Sequence, residues 1–468
     1  PAGGLSLENA VVTVNSGVVV SGAGAGVRGN LNLNPFAVDA SFHNNGLVIS
    51  TVPGENGVDV EGYAPLGIPV GNATYIGGAN SGVVGAANGI VATGVNAYVT
   101  VNGGSVTGND GDGLLITAVG DPLMGGEAEV TLAPGTGEIR GTVDGIDVLA
   151  TGIGTDARTV IDVQGGTVTG DTDDDGFGDG IIATALAGGL VVPRAASNEI
   201  TTAGDVTGAN GIDAVAMSAN GHATNTIVAN GDVTGTYGDG IVAVSASADV
   251  EDLEDLEDVE LPDLMDLGSL DPDALDDIPV GAGTANVSIT ATGNVTGAGN
   301  GITALAMGQS AVVDIDTSAG SVTGQHGFGV LGAAIGPGGA VDIATGDVSG
   351  ELGGVLGLNT AGDTHVTVNG LVTVESGGLI GVGAIAAGGG DATVDFAGII
   401  DPPMIGAGAL TLGSGTATVN TAGLIDADAI GVIALNIGDG HAVVNNSADV
   451  FSSSGATPIL GVGGGKIG

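Results

Sequence analysis

Residues 98–120 read Tyr98-Val99-Thr100-Val101-Asn102-Gly103-Gly104-Ser105-Val106-Thr107-Gly108-Asn109-Asp110-Gly111-Asp112-Gly113, then Leu114 to Val119 and Gly120. The first four residues alternate apolar and polar, the period-two signature of a strand with one buried face. Asn102-Gly103-Gly104 is a turn, because Asn and Gly accept positive φ at little cost. Ser105-Val106-Thr107 is a second short strand, and the Gly108–Gly113 run turns again. Leu114 to Val119 forms a third strand, more continuously apolar, closed by Gly120. Three strands this short cannot stand alone. Stacked on copies of themselves, they bury one face and find hydrogen-bond partners above and below.

The copies are visible along the chain. The word Val-Thr-Gly recurs at 106–108, 168–170, 206–208, 233–235, 295–297 and 322–324, with Val-Ser-Gly at 348–350. Successive glycines of the word are spaced by 62, 38, 27, 62, 27 and 26, and the shortest of these spacings, 26 or 27, is the repeating unit. The first gap of 62 contains a degenerate copy, Gly141-Thr142-Val143-Asp144-Gly145-Ile146. The second equals one unit plus an acidic insertion of about 35 residues. Beyond Gly350, Val355, Ile380, Ile405 and Ile430 keep a spacing of 25. Before about residue 80 the pattern loosens, although Asn88-Gly89-Ile90 fits it. The pattern predicts an all-β chain, a right-handed parallel β-helix (β-solenoid) of about 25–27 residues per coil with an acidic loop insertion. Handedness follows the bias of parallel crossovers. At about 4.8 Å per coil, about 16 coils form a rod roughly 75–80 Å long. A β-propeller needs longer blades of four strands. The expected organisation is irregular coils over 1–80, regular coils over 81–248, the insertion over 249–279 and further coils over 280–468.

Composition agrees. Gly supplies 94 of 468 residues, aromatics are 2%, and Cys and Trp are absent, so the core is narrow and built from Val, Ile, Leu and Ala. It is too apolar for a disordered chain. Five Lys and Arg stand against 53 acids, a formal charge of −48. Arg28, Arg140, Arg158, Arg194 and Lys466 are scattered, which excludes nucleic acid and anionic lipid as partners. The absence of cysteine removes any disulfide framework and fits an exported chain. The chain opens Pro1-Ala2-Gly3-Gly4 with no basic leader, as a processed or excised chain would. The uncharged stretch Pro402–Ile425 is broken by Gly, Ser and Thr and reads as one coil rather than a membrane span.

The words Val-Asn-Gly-Gly-Ser-Val-Thr-Gly at 101–108 and Gly-Asp-Gly-Ile at 238–241 resemble the passenger repeats of bacterial autotransporters and haemagglutinin-like adhesins, over roughly residues 80–468. The resemblance implies an extracellular, outer membrane-associated location at the cell surface and carries no catalytic residue. The membrane barrel that ends autotransporters has no counterpart in Gly463-Gly464-Gly465-Lys466-Ile467-Gly468.

Asp171-Thr172-Asp173-Asp174-Asp175-Gly176-Phe177-Gly178-Asp179 is the sharpest local motif. Asp at loop positions 1, 3, 5 and 9 with Gly at 6 is Ca²⁺-loop spacing, because alternate carboxylates converge on one hard cation and Gly permits the turn. The expected ligands are Asp171, Asp173, Asp175 and Asp179 with the Phe177 carbonyl. Ile182 stands where an EF-hand has Glu, so the loop is nearer a dockerin or thrombospondin type. A solvated acidic turn is the plainer reading. Asp112, Asp179 and Asp239, with Asn210 and Asn300, share a slot before Gly and an apolar residue, as favoured turn chemistry. The threonines of the repeated word form an outward ladder of ordinary β-propensity.

The insertion carries 14 acids between Asp249 and Pro279 and no cation. Val250, Leu253, Leu256 and Val259 are spaced by three, as in a short amphipathic helix ended near Pro262; a solvated flexible loop is the alternative. Loop closure grows only slowly with length, so removing Glu251–Asp277 is expected to leave stability almost unchanged.

Catalysis is not expected. The basic residues that β-helical lyases and polygalacturonase-like hydrolases need are missing near Asn220-Gly221-His222 and Asp439-Gly440-His441. His43, His326 and His365 make no metal-ligand spacing, and no Gly-x-Ser-x-Gly elbow occurs. Two classes remain: an adhesin or surface-display passenger, and a Ca²⁺-dependent self-assembling structural protein such as a surface layer or filament. The implied partners are other surface proteins, a host or surface ligand, or copies of itself.

Overall fold

In the computed structural model the chain is all-β, a parallel β-solenoid of about 14 turns. The structure describes residues 10–22, 27–30, 39–62, 71–120, 125–188, 192–248, 281–375, 377–401, 403–452 and 459–463. Two compact units are present: residues 1–215 with 228–232, and residues 216–227 with 233–468. No helix occurs among the described residues. None is therefore long and apolar enough to cross a membrane. Pro402–Ile425 falls on the strands Ile405–Thr411 and Thr416–Ala427, as a coil would.

In the first unit the coil read from the sequence folds as Ala97–Val101, Gly104–Gly108 and Leu114–Gly120. The first and second strands of successive coils build one sheet, and the third strands build the other. Period-two alternation sends Val99, Val101, Val106, Leu114, Ile116 and Ala118 into the space between the sheets, where each is at most 1% exposed. Like residues then stack in columns. Leu114 pairs with Ile146 and Ile146 with Ile181; Ala118 pairs with Ala150 and Ala150 with Ala185.

The repeated word keeps register within each unit. In the first, Val106 pairs with Ile139, Ile139 with Val168, and Val168 with Val206. The degenerate copy therefore begins at Ile139-Arg140, just before the glycine that reveals it, and Arg140 occupies a slot in the threonine ladder. In the second, Val233 pairs with Val295, Val295 with Val322, and Val322 with Val348. The coils flanking the insertion thus stack directly on each other, with Ile241 opposite Ile302. The insertion, 249–279, lies outside the described residues.

Two expectations are corrected. The count of about 16 coils falls to about 14 because some coils lengthen at the turns. Thr416 pairs with His441 in a coil of ordinary length, whereas Ala157 pairs with Ala196 across a longer one. Val355 does not share a column with Ile380. Gly353 faces Ile380 and Val355 faces Val382, because that coil is longer than those that follow it. Ile380, Ile405 and Ile430 do stack.

Glycine is required at the corners. A Cβ on Gly108 would lie 2.1 Å from the Asp112 carbonyl oxygen, and one on Gly170 would lie 1.9 Å from that of Asp179. Polar residues also enter the core, where they bridge it. Asn198 Nδ2 donates to the Ala183 and Val215 carbonyls at 3.0 and 2.8 Å.

Candidate functional site: an acidic turn beside a ladder of Asx side chains

Gly170 and Asp179 close a turn on the same pattern as Gly108 and Asp112, so the residues between them are extra chain extruded from a standard corner. The excursion starts at Asp171, whose φ is 49°, and also uses Asp174 at 62°, Gly176 at 86° and Gly178 at 123°. Backbone wraps around one carboxylate. Asp171 Oδ1 accepts the Asp175 and Gly176 N–H groups at 3.1 and 3.3 Å, and Asp175 Oδ1 accepts the Phe177 N–H at 2.9 Å. Asp171 is anchored in turn by its N–H to the Val143 carbonyl at 2.7 Å.

One carboxylate oxygen from each of Asp171, Asp173 and Asp175 lies within 4.8 Å of the others. Asp173 and Asp175 are exposed, while Asp171 is only 8% exposed. Its second oxygen, Oδ2, is buried without a hydrogen-bond partner. A buried carboxylate oxygen with nothing to accept from is costly. Burial raises the Asp171 pKa, the two backbone N–H groups oppose this, and the charges of Asp175 and Asp173 add to the rise. A hard divalent cation among the three converging oxygens would relieve the repulsion between the carboxylates, and the all-oxygen donor set suits Ca²⁺. The residues present fit the ion.

Of the expected ligands, Asp171, Asp173 and Asp175 are brought together. Asp179 is not in that group. Its Oδ1 accepts the Asn210 N–H at 2.8 Å, and its own N–H donates to Asp144 Oδ1 at 2.6 Å. The Phe177 ring is 76% exposed beside the turn.

Asp179 belongs to a ladder that runs through the corners of the first unit. Asn56 Oδ1 accepts the N–H of Asn88, Asn88 that of Asp112, Asp112 that of Asp144, Asp144 that of Asp179, and Asp179 that of Asn210. In the second unit Asp239 serves Asn300 and Asn300 serves Phe328, both at 2.7 Å. The Asx slot seen in the sequence is thus a working hydrogen bond from coil to coil, extended by Asn56, Asn88 and Asp144. Either residue suffices because each coil-to-coil bond needs one Oδ1 acceptor; Asp239 uses its Oδ2 as well, accepting the Thr303 hydroxyl and Asn300 Nδ2. The carboxylate members suffer in desolvation. Burial pushes Asp144 up to about 7, against the pull of the Asp179 N–H and with the push of Asp112, Asp147 and Asp179. Burial, with Asp112 nearby, pushes Asp147 up to about 6. Asp112 and Asp179 are raised by the same cause.

No family model, curated protein or solved structure matches this chain.

Proposed function

We propose that the chain is a cell-surface β-helical passenger, an adhesin or display scaffold, whose 171–175 turn binds Ca²⁺. The observation that carries the reading is the convergence of one carboxylate oxygen from each of Asp171, Asp173 and Asp175, the first of which also has its Oδ2 buried without a hydrogen-bond partner. Three carboxylates on an extruded turn, two of them exposed, make a weak site, in the roughly 10⁻⁴–10⁻³ M range of extracellular modules. Such a site fills outside a cell and stays empty in cytosol. The excess of 53 acids over five Lys and Arg and the absence of cysteine support the same location. The solenoid supplies the scaffold, with turns such as 171–178 displayed from its corners, and the loaded ion would stiffen that turn. Partners would be a surface ligand or other envelope proteins.

Calorimetric titration of the full chain with CaCl₂ tests the ion, and Asp173→Ala is the control. Saturable heats in the wild type that vanish in the variant are expected; identical heats leave only a solvated turn. Antibody labelling of intact cells tests the location, and labelling only after lysis rejects a surface passenger.

A further inference from the structure

On the outer side of the second unit's third strands, two glycines open a hollow in an apolar column. The inner side is set by Gly357, where a Cβ would meet Val341, Thr364 and Val366 of the opposite sheet. Gly357 pairs with Ala384, so both face the core. Leu356 and Gly383, one residue earlier on Gly353–Asn359 and Ile380–Ala386, face outward. A Cβ on Gly383 would accordingly meet Ile380 and Leu356 of its own sheet, each at 2.9 Å. The outward column runs from Leu356 to Gly383, Gly408 and Ile433. Flanking columns stand on both sides of it, Ile380 paired with Ile405 and Ile385 paired with Leu410.

The missing side chains leave a cavity of about 390 Å³. That lies within the roughly 300–1,000 Å³ of small-molecule sites. Leu356 and Ile433 close its two ends, three inter-strand steps or about 14 Å apart. Among the described residues its lining is aliphatic, glycine and methionine throughout, with no aromatic, polar or charged side chain. Leu379 and Met404 belong to the lining and are 45% and 43% exposed, which places them at the mouth.

We propose that this cavity binds the aliphatic chain of a cationic amphiphile, a linear hydrocarbon with an ammonium head. The lining selects the chain. A slot floored by two glycines and lacking any side-chain hydrogen-bonding group gives a polar ligand no partner, whereas methylenes gain by leaving water. Charge selects the head. No Lys or Arg occurs between Arg194 and Lys466. Carboxylates stand in the corners that feed the cavity strands: Glu375 four residues before Leu379, Asp401 three before Met404, and Asp428 two before Ile430. These corners stack, since the Met404 N–H donates to the Gly378 carbonyl and the Asp428 N–H to the Pro403 carbonyl, both at 2.8 Å. Glu375 and Asp401 are exposed. An anionic head is repelled by such a rim, and a second copy of the chain would bring a formal charge of −48 against it. A cationic head is attracted and stays hydrated while its chain enters.

Equilibrium dialysis and calorimetry of the full chain test this with dodecyltrimethylammonium below its micelle concentration, in about 150 mM NaCl to screen diffuse attraction. A single saturable site is expected, with dodecyl maltoside bound at least about tenfold more weakly and dodecyl sulfate not bound. Gly408→Leu gives the column the kind of residue that it carries at Leu356 and Ile433, fills the floor and changes no charge; it should abolish binding. Leu410→Ser opens a wall at a half-buried position and should weaken binding at least about tenfold, with circular dichroism confirming the fold of both variants. Glu375→Gln with Asp401→Asn should remove the preference for the cation and leave maltoside binding unchanged. Cation binding undiminished in both Gly408→Leu and Leu410→Ser assigns it to the acidic surface at large and overturns the proposal. The absence of a saturable site overturns it, as does dodecyl sulfate bound as tightly as the cation. Self-association of the chain that Gly408→Leu abolishes gives the face to a second copy and overturns it too.

Discussion

Asp144→Asn tests the reading of the corner ladder. Asp144 Oδ1 accepts the Asp179 N–H, and the same role is filled two coils away by Asn88, whose Oδ1 accepts the Asp112 N–H. The amide therefore keeps the hydrogen bond and removes the charge. Burial pushes the folded Asp144 pKa up to about 7 from 3.8. A raised folded pKa means that the native state holds the proton more tightly than the unfolded chain. The contribution to stability is complete below about pH 4, declines through the interval up to about 7, and is gone above it. Roughly three units at ~1.4 kcal/mol each set a ceiling of about 4 kcal/mol. Residual hydration at a turn and mobile counterions reduce this to about 1–2 kcal/mol. In a cooperative block of roughly 150–250 residues that is a melting shift of about 3–6 °C. Melting followed by circular dichroism, in EDTA and about 150 mM NaCl, should show wild type and Asp144→Asn coinciding at pH 4 and the variant higher by about that shift at pH 8. A variant less stable than wild type at pH 8, or more stable by the same amount at both pH values, refutes the reasoning.

Other consequences are simpler to test. Adding Ca²⁺ should raise the melting temperature of the wild type, EDTA should reverse the rise, and Asp171→Asn should abolish it; at about 100 times Kd the ligand contributes about 2.7 kcal/mol. Gly108→Ala places a Cβ 2.1 Å from the Asp112 carbonyl oxygen and should destabilise by about 1–3 kcal/mol in denaturant melts. Leu114→Ala empties a fully buried site and should cost about 2–5 kcal/mol, whereas Thr107→Val on the outer face should stay within about 0.5 kcal/mol. Arg158 bridges Glu127 at 2.7 Å and Glu199 at 2.9 Å while 47% exposed. Arg158→Ala should therefore cost less than about 1 kcal/mol, and the loss should shrink in high salt.

The amino-acid sequence alone determined the solenoid, because its information is local and repeated. Period-two alternation in Tyr98–Val101, Gly at the corners and a Val-Thr-Gly word at near-constant spacing each specify one coil, and stacking similar coils needs no long-range choice. The Asp171–Asp175 convergence was legible for the same reason: one short run of consecutive residues carries its geometry. What spacing could not supply is which way a side chain turns when two sites compete for it. Asp179 fits position 9 of a cation loop and also the corner slot of its coil. Tertiary stacking gives it to the ladder, because Asn210 of the next coil presents an N–H to its Oδ1. Likewise Ile139-Arg140 escaped recognition as a copy of Val-Thr until pairing with Val106 and Val168 showed the register. The burial of Leu305, Leu331 and Leu356 is the plainest case. Alternation assigns them to the outer side of their strands, and only the tertiary structure shows that each is at most 4% exposed, because burial is set by the chain around a side chain and not by its place in a repeat.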